Sequence, residues 1–273
     1  MRIEQHMIGE IHARRYAAKD PKYAILISHG LGGHGGMYDR FGTHHSTRGV
    51  EVWSYDAPGH GQSTTTRPRG QYEMQEWVDA GLAYVEHIKR ETGLPVFTLG
   101  SSLGVAAAYA CLASEEVKGC ILMGATLVPG TKTFNQLGAK FQNDGVKALI
   151  DSLGRTLRFD VKNFVNYDED YGYKGAEDQK RLDPWITWSY DLASFYSFFN
   201  YQPGIPVDRN NKPILVTSGS EDAMFSESRI REMAKGIAGP VEVNIVEGGS
   251  HQLLMFDTER FSTAVHEFVG KQL

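Results

Sequence analysis

The apolar positions of this chain fall into short, nearly continuous runs, separated by glycine-rich turns and by stretches with helical spacing. Tyr23-Ala24-Ile25-Leu26-Ile27-Ser28 has the pattern of a central strand buried on both faces, Val50 to Tyr55 and Leu94 to Leu99 read as further strands, and Lys118 to Met123 as another core strand. Pro213 to Thr217 and Val241 to Val246 supply two more core strands, and residues 2–7 and 11–18, parted by Gly9, read as an opening hairpin. Between the runs, residues 37–47, 73–92, 226–236 and 257–270 carry helical patterns; in the second, Trp77, Gly81, Tyr84, Val85 and Ile88 line one face. Strands alternating with helices predict an α/β fold with a mainly parallel eight-stranded sheet flanked by helices.

The alternation stops between Leu127 and about Pro206. This segment has no clear run of buried strands, yet it holds half of the chain's aromatic residues in less than a third of its length, among them Phe134, Phe159, Tyr171, Trp185, Trp188, Phe195 and Phe199. It is too long for an ordinary loop and reads as an inserted helical cap over 127–206, with 1–126 and 207–273 forming the core around it. Asp183-Pro184 marks a helix start or a turn within it. The near-helical spacing of Trp185, Trp188 and Phe195 fits a small core belonging to the cap, and the aromatic group as a whole fits an apolar chamber.

Composition narrows the function classes. Hydrophobic residues are 41% and charged residues 22% of 273, as in an ordinary globular protein, and a net charge of -5 without a basic block argues against a nucleic-acid partner. Cys111 and Cys120 both sit in apolar segments and read as buried free thiols rather than a disulfide. No Cys/His cluster has zinc spacing, so neither metal nor cofactor is expected. The N-terminal Met1-Arg2-Ile3-Glu4-Gln5-His6 lacks the apolar run of a signal peptide, and no stretch reaches the 18 apolar residues of a spanning helix; stable membrane insertion is not expected, and the default compartment is the cytoplasm. Oligomeric state is not encoded in these patterns.

The candidate chemistry begins at Gly100-Ser101-Ser102-Leu103-Gly104, between the run 94–99 and the helix-compatible Val105 to Ala110. A serine between a strand and a helix, with glycine two residues to either side, fits a nucleophile elbow, whose strained serine needs small neighbours. A serine hydroxyl needs a base to take its proton, and a histidine base needs a carboxylate to hold its tautomer. Asp222, in Gly219-Ser220-Glu221-Asp222 just after a strand, is the expected carboxylate, with Glu221 as its rival. His251, in Gly248-Gly249-Ser250-His251 after the last strand, is the expected base. The oxyanion would be met by two backbone N–H groups, those of Leu103 and Leu31, the latter in His29-Gly30-Leu31-Gly32-Gly33.

That glycine loop has a competing reading. Gly30, Gly32 and Gly35 match G-x-G-x-x-G after a strand, with Glu51 or Asp56 at the distance of a ribose-binding acid. Gly33-His34-Gly35-Gly36 prolongs the loop where a dinucleotide site needs a helix, which weighs against it. Asp56-Ala57-Pro58-Gly59-His60-Gly61-Gln62-Ser63 reads as a loop-shaping segment, within which His60 could hydrogen-bond.

On these segments the chain resembles the capped α/β-hydrolases, in pattern the monoacylglycerol lipase, lysophospholipase and carboxylesterase group, most closely over 23–126 and 212–270. His29-Gly30-Leu31-Gly32 is similar to the oxyanion loop of that group, residues 56–63 to its D-x-x-G-H-G-x-S stretch, Gly100 to Gly104 to its elbow, Gly219 to Asp222 to its acid loop and Gly249-Ser250-His251 to its histidine loop. The order Ser102, Asp222, His251 is the chain order of α/β-hydrolases. Many relatives read G-H-S-M-G-G at the elbow, where this chain has Ser101 for the histidine and Val105 for the last glycine. The resemblance implies an α/β-hydrolase fold and a serine carboxylic-ester hydrolase acting through an acyl-enzyme. Its partner would be a small or medium ester with an apolar acyl group, such as a monoacylglycerol or aryl ester. Carbon-carbon or amide hydrolysis on the same scaffold, and non-catalytic binding of an apolar ligand, are the alternatives.

Overall fold

The computed structural model describes residues 2–63, 67–141, 143–163 and 165–273. Eight strands form one sheet: β1 (Ile3–Ile8), β2 (Ile11–Tyr16), β3 (Ala24–Ser28), β4 (Glu51–Tyr55), β5 (Val96–Ser101), β6 (Val117–Met123), and, after an insertion that holds the short strands β7 (Arg158–Asp160) and β8 (Ser189–Asp191), β9 (Ile214–Gly219) and β10 (Val241–Val246). Their order is β1-β2-β4-β3-β5-β6-β9-β10. β1 and β2 pair antiparallel, β2 runs antiparallel to β4, and every later pairing in this sheet is parallel. The eight-stranded, mostly parallel sheet is the one expected from the apolar runs.

The sheet divides two cores, and the period-2 alternation of each strand assigns its side chains. On β3, Ala24 and Leu26 join the core under helices α2 (Met74–Thr92) and α3 (Val105–Ala110), whereas Ile25 and Ile27 join the opposite core. That second core also takes up Phe41 of α1 (Asp39–Ser46) and Phe261, Val265 and Phe268 from the C-terminal helix, Thr258–Gly270. The long helix α2 starts at a capping box, Glu73 with Glu76, and stops at Gly93 in the left-handed region. All five positions expected on its apolar face are buried. Gly81 is there because a Cβ would press on Tyr55 and Cys111. Cys111 and Cys120 are buried free thiols.

Between β6 and β9 the chain leaves the sheet and forms α4 (Lys132–Gly138), α5 (Asp144–Leu153), α6 (Tyr167–Tyr171), α7 (Ala176–Arg181) and α8 (Leu192–Phe199). Strands β7 and β8 pair antiparallel within it, Phe159 opposite Tyr190, a ribbon the sequence pattern did not disclose. The spacing of Trp185, Trp188 and Phe195 is also not one helix. Asp183-Pro184 opens a turn, in which the Asp183 carboxylate accepts from the Trp185 N–H (2.9 Å), and only Phe195 lies on α8. Trp185 stacks under Arg69, and Trp188 packs edge-on against Tyr167. The insertion is tied to the sheet half by α8: Ser194 and Ser197 hydroxyls accept from the Tyr72 and Met74 N–H groups at the start of α2.

After the insertion come α9 (Glu227–Lys235), α10 (Leu253–Phe256) and the C-terminal helix α11, Thr258–Gly270. Among the described residues no helix is long and apolar enough to cross a membrane, and no cluster of His, Cys, Asp or Glu could hold a metal ion.

Candidate active site

Ser102 follows β5 directly and has φ +52. Among the described residues only Asp20 shares a positive φ without being glycine. A non-glycine side chain in this region costs about 1–3 kcal/mol and persists where its surroundings impose it. Here they do: a Cβ on Gly100 would collide with Val105 and Gly104, and one on Gly104 with the Ser28 and His29 carbonyls. The two glycines let the turn close on itself and against the end of β3. Ser102 is partly buried and lines the wall of a cavity.

Asp222 and His251 come from the loops after β9 and β10. These loops touch at Gly219, where a Cβ would run into the Gly249 and Ser250 carbonyls. The Asp222 carboxylate accepts from His251 Nδ1 (2.8 Å), the Ser218 hydroxyl (3.2 Å) and the Met224 and Phe225 N–H groups (2.8 Å each). A carboxylate only accepts when ionised, so Nδ1 carries the proton and Nε2 is the free base. Glu221 is exposed, and its backbone N–H donates to the Gly249 carbonyl. Of the ten histidines, only His251 lines the cavity. No hydrogen bond among the described residues joins it to Ser102; the two share the cavity wall.

Leu31 and Leu103 line the same cavity. The Gly30 carbonyl accepts from Gly33 N–H (3.0 Å) and from His29 Nδ1 (2.9 Å). In a trans peptide the N–H opposes the C=O, so pinning that carbonyl aims the Leu31 N–H the other way. Leu103 follows Ser102 in the first turn of the helix, where N–H groups lack a partner within the helix. No helix begins at Gly32, as a dinucleotide loop would require; the next helical turn spans Gly35–Tyr38.

The loop 56–63 is structural. Burial alone would raise the Asp56 pKa, but His12 Nδ1 and the Gln62 and Gly35 N–H groups all donate to its carboxylate and hold it down to about 2. His60 Nδ1 donates to the Pro58 carbonyl within the loop (3.0 Å), and His29 Nε2 accepts from Ala57 N–H (3.0 Å), joining this loop to the glycine loop. Burial lowers both histidines, to about 4 for His29 and about 3 for His60, so both are neutral at pH 7.

The sequence patterns did not single out Asp170 or Lys180, which the insertion brings to the cavity. Asp170 Oδ1 is 3.7 Å from His251 Nε2, and Oδ2 accepts from the Gln252 side chain (3.1 Å). Burial opposes protonation of His251. The hydrogen bond to Asp222 and the charges of Asp170 and Asp222 outweigh it, so its pKa stands above the ordinary histidine value. Lys180 lies 4.3 Å over the Tyr167 ring and 5.0 Å from that of Tyr171, and burial lowers it to about 8. The signal for Asp170 was its spacing: Tyr167, Asp170 and Tyr171 fall at i, i+3 and i+4 on one buried helix face. Around these groups the cavity is mainly apolar, with Leu127, Val165, Phe195, Phe198, Phe199 and Phe225, and its empty space is about 710 Å³ with the mouth included.

Known proteins resemble the chain in sequence and in fold. The family model described as "Serine aminopeptidase, S33" matches residues 19–259. The chain is 28% identical to a monoglyceride lipase homolog of Monkeypox virus over 242 residues, 85% of this chain and 83% of that protein. It is 32% identical to human monoglyceride lipase over 129 residues, a match spanning 45% of this chain and 42% of that enzyme. Its fold is similar to the crystal structure of a soluble variant of monoglyceride lipase from Saccharomyces cerevisiae, with a TM-score of 0.74 at 16% identity, covering 97% of this chain and 94% of the other. A mostly parallel eight-stranded sheet, a serine in a forced left-handed turn and a family match over most of the chain lead to one assignment: this is an α/β-hydrolase of the serine aminopeptidase S33 family, in the group of the monoacylglycerol lipases and esterases.

Proposed function

We propose that the chain is a serine carboxylic-ester hydrolase working through an acyl-enzyme on small or medium esters with an apolar acyl group. The observation that carries this reading is the strained Ser102 on the wall of the cavity that also receives His251, itself bonded through Nδ1 to Asp222. His251 Nε2 takes the Ser102 proton as Oγ attacks the ester carbonyl. Asp222 holds the imidazole in its tautomer and stabilises the imidazolium. The Leu31 and Leu103 N–H groups receive the oxyanion. The imidazolium then protonates the leaving alcohol, and the neutral ring activates the water that releases the acid. No step needs a metal or an organic cofactor.

Residues 127–206 act in this reading as a cap. Its aromatic side chains bury the acyl chain without demanding a charged partner. Asp170, Gln252 and Lys180 make one side of the cavity polar, which suits an alcohol part bearing hydroxyl groups. A monoacylglycerol therefore fits better than an aryl ester. The test is hydrolysis of p-nitrophenyl acetate and butyrate, of monoacylglycerols and of matched anilides by the protein and by Ser102→Ala. The reading expects ester and monoacylglycerol turnover that Ser102→Ala abolishes. Equal rates in the two proteins contradict it, and turnover of the anilides in preference to esters favours an amide hydrolase.

A further inference from the structure

Gly32, next to Leu31 in the glycine loop, has φ +72, and both of its backbone polar groups are held by the insertion. Its N–H donates to the Tyr190 hydroxyl (2.8 Å), and its carbonyl accepts from the Thr187 N–H (3.0 Å). With the Gly30 carbonyl bound by Gly33 and His29, three successive peptide planes around Leu31 are fixed, two of them from outside the sheet half.

We propose that Tyr190 and Thr187 are positioning residues for the oxyanion loop, so that the loop has its working shape only while the insertion is seated on the sheet. This rests on the reading that the Leu31 N–H is an oxyanion donor.

The direction of each hydrogen bond supports the assignment. The Pro58 carbonyl can only accept, so His60 Nδ1 bears the proton and Nε2 accepts. The Tyr190 hydroxyl donates to that Nε2 (2.7 Å), which leaves its oxygen to accept from Gly32. The chain therefore runs Gly32 N–H to Tyr190 O–H to His60, and it ends on a carbonyl of the loop 56–63. Tyr190 and His60 are fully buried, so neither bond is replaced by water when the hydroxyl is removed. The Tyr190 ring packs against Tyr72, Phe159 and Phe195, contacts a phenylalanine keeps. Thr187 and Tyr190 lie in one stretch of chain at β8, so lifting that stretch breaks both bonds to Gly32 together. Exclusion of water and organisation of the oxyanion donors then arrive in a single motion, and an open chamber lacks full hydrolytic power.

The test compares Tyr190→Phe with the unmodified protein in ester hydrolysis and in binding of phenylboronic acid, whose boron forms a tetrahedral anionic adduct with an active serine. The expected result is a fall in kcat of about 10- to 100-fold, less than the roughly 100- to 1,000-fold typical of losing a whole donor. KM stays within about twofold, and the boronate Kd rises in step with the fall in kcat. An unchanged kcat, or a reduced kcat with unchanged boronate affinity, overturns the inference. In the unmodified protein, hydrogen exchange should show the amides of 31–33 and 187–190 opening together; independent opening overturns it even if Tyr190→Phe does not fold. Retained hydrolysis in Ser102→Ala would instead sink the functional reading underneath. Loss in Ser102→Ala beside full activity in Tyr190→Phe removes the inference alone.

Discussion

The cavity has two halves that are held in different ways. The sheet half supplies Ser102, His251, Asp222, Leu31 and Leu103 from loops that touch backbone to backbone. At Gly100, Gly104 and Gly219 there is no room for even a methyl group. The insertion supplies its wall through side chains: Phe195, Phe198 and Phe199 line it, and behind them Phe134 packs on Phe198 and Phe199 and Phe141 stacks on Phe199. Backbone contacts cannot relax without moving the reacting groups, whereas a packed aromatic wall can be reshaped one residue at a time. Damage to the sheet half should therefore remove the reaction, damage to the aromatic wall of the insertion should change which esters react, and loss of the Tyr190 hydroxyl, through which the insertion holds the oxyanion loop, should slow them all.

The largest effect is expected from Ser102→Ala, with ester hydrolysis falling by about 10⁴-fold or more while the melting temperature holds. Steady-state kinetics beside a thermal melt checks both. Asp222→Asn comes next, with kcat reduced about 10³- to 10⁴-fold because the histidine loses the partner that fixes its tautomer. Retention of more than a tenth of the activity would mean that Asp222 is not that partner. In the insertion, Phe195→Ala or Phe199→Ala should lower kcat/KM for the longer acyl chains by about 10- to 200-fold, with smaller changes for acetate esters. A uniform loss across chain lengths would break the distinction between the two halves.

Asp170 gives a finer test, since it belongs to the insertion and acts on the base. His251 must be neutral to take a proton, and its pKa is raised above the ordinary value of 6.5, so the rate should rise with pH through a midpoint above that value. Asp170→Asn removes a negative charge 3.7 Å from Nε2 and disfavours the imidazolium, moving that midpoint to lower pH. A pH profile unmoved by the substitution contradicts this. Stability has its own signature. His29 and His60 are neutral in the fold, with pKa values of about 4 and about 3, and take up protons more readily when unfolded. The stability their neutrality allows is complete above the unfolded value near 6.5 and is lost as pH falls from there toward about 3. Denaturant melts across that range measure it.

The same contrast governs what the sequence discloses. Strands β3, β5 and β9 are buried at every position and β6 at every position but Lys118, so each leaves a nearly continuous apolar run, and the elbow leaves its two glycines because the turn tolerates nothing larger. Asp222 is legible because it follows the run of β9 through a short glycine-containing loop, and His251 because its glycine loop follows Val241, Val243 and Ile245, which alternate along the half-buried edge strand β10. The insertion hides more. Strands β7 and β8 are three residues each, too short for a period-2 pattern to register. Trp185 and Trp188 mimic helical spacing, but Trp185 packs from a turn against Arg69 and Trp188 from the stretch leading into β8 against Tyr167. Asp170 is one of three acids in Tyr167-Asp168-Glu169-Asp170-Tyr171, and its spacing from Tyr167 and Tyr171 is all that sets it apart, over a helix of five residues. The Tyr190–Gly32 bond joins residues 158 apart in sequence, and no local pattern announces it.

The central claim is that Ser102 is an activated nucleophile. Its most direct test is labelling with a fluorophosphonate, followed by mass mapping of the modified peptide. One adduct is expected, on Ser102, formed rapidly in the unmodified protein and at a strongly reduced rate in His251→Ala. A folded protein that takes no label, or takes it at another residue, would contradict it.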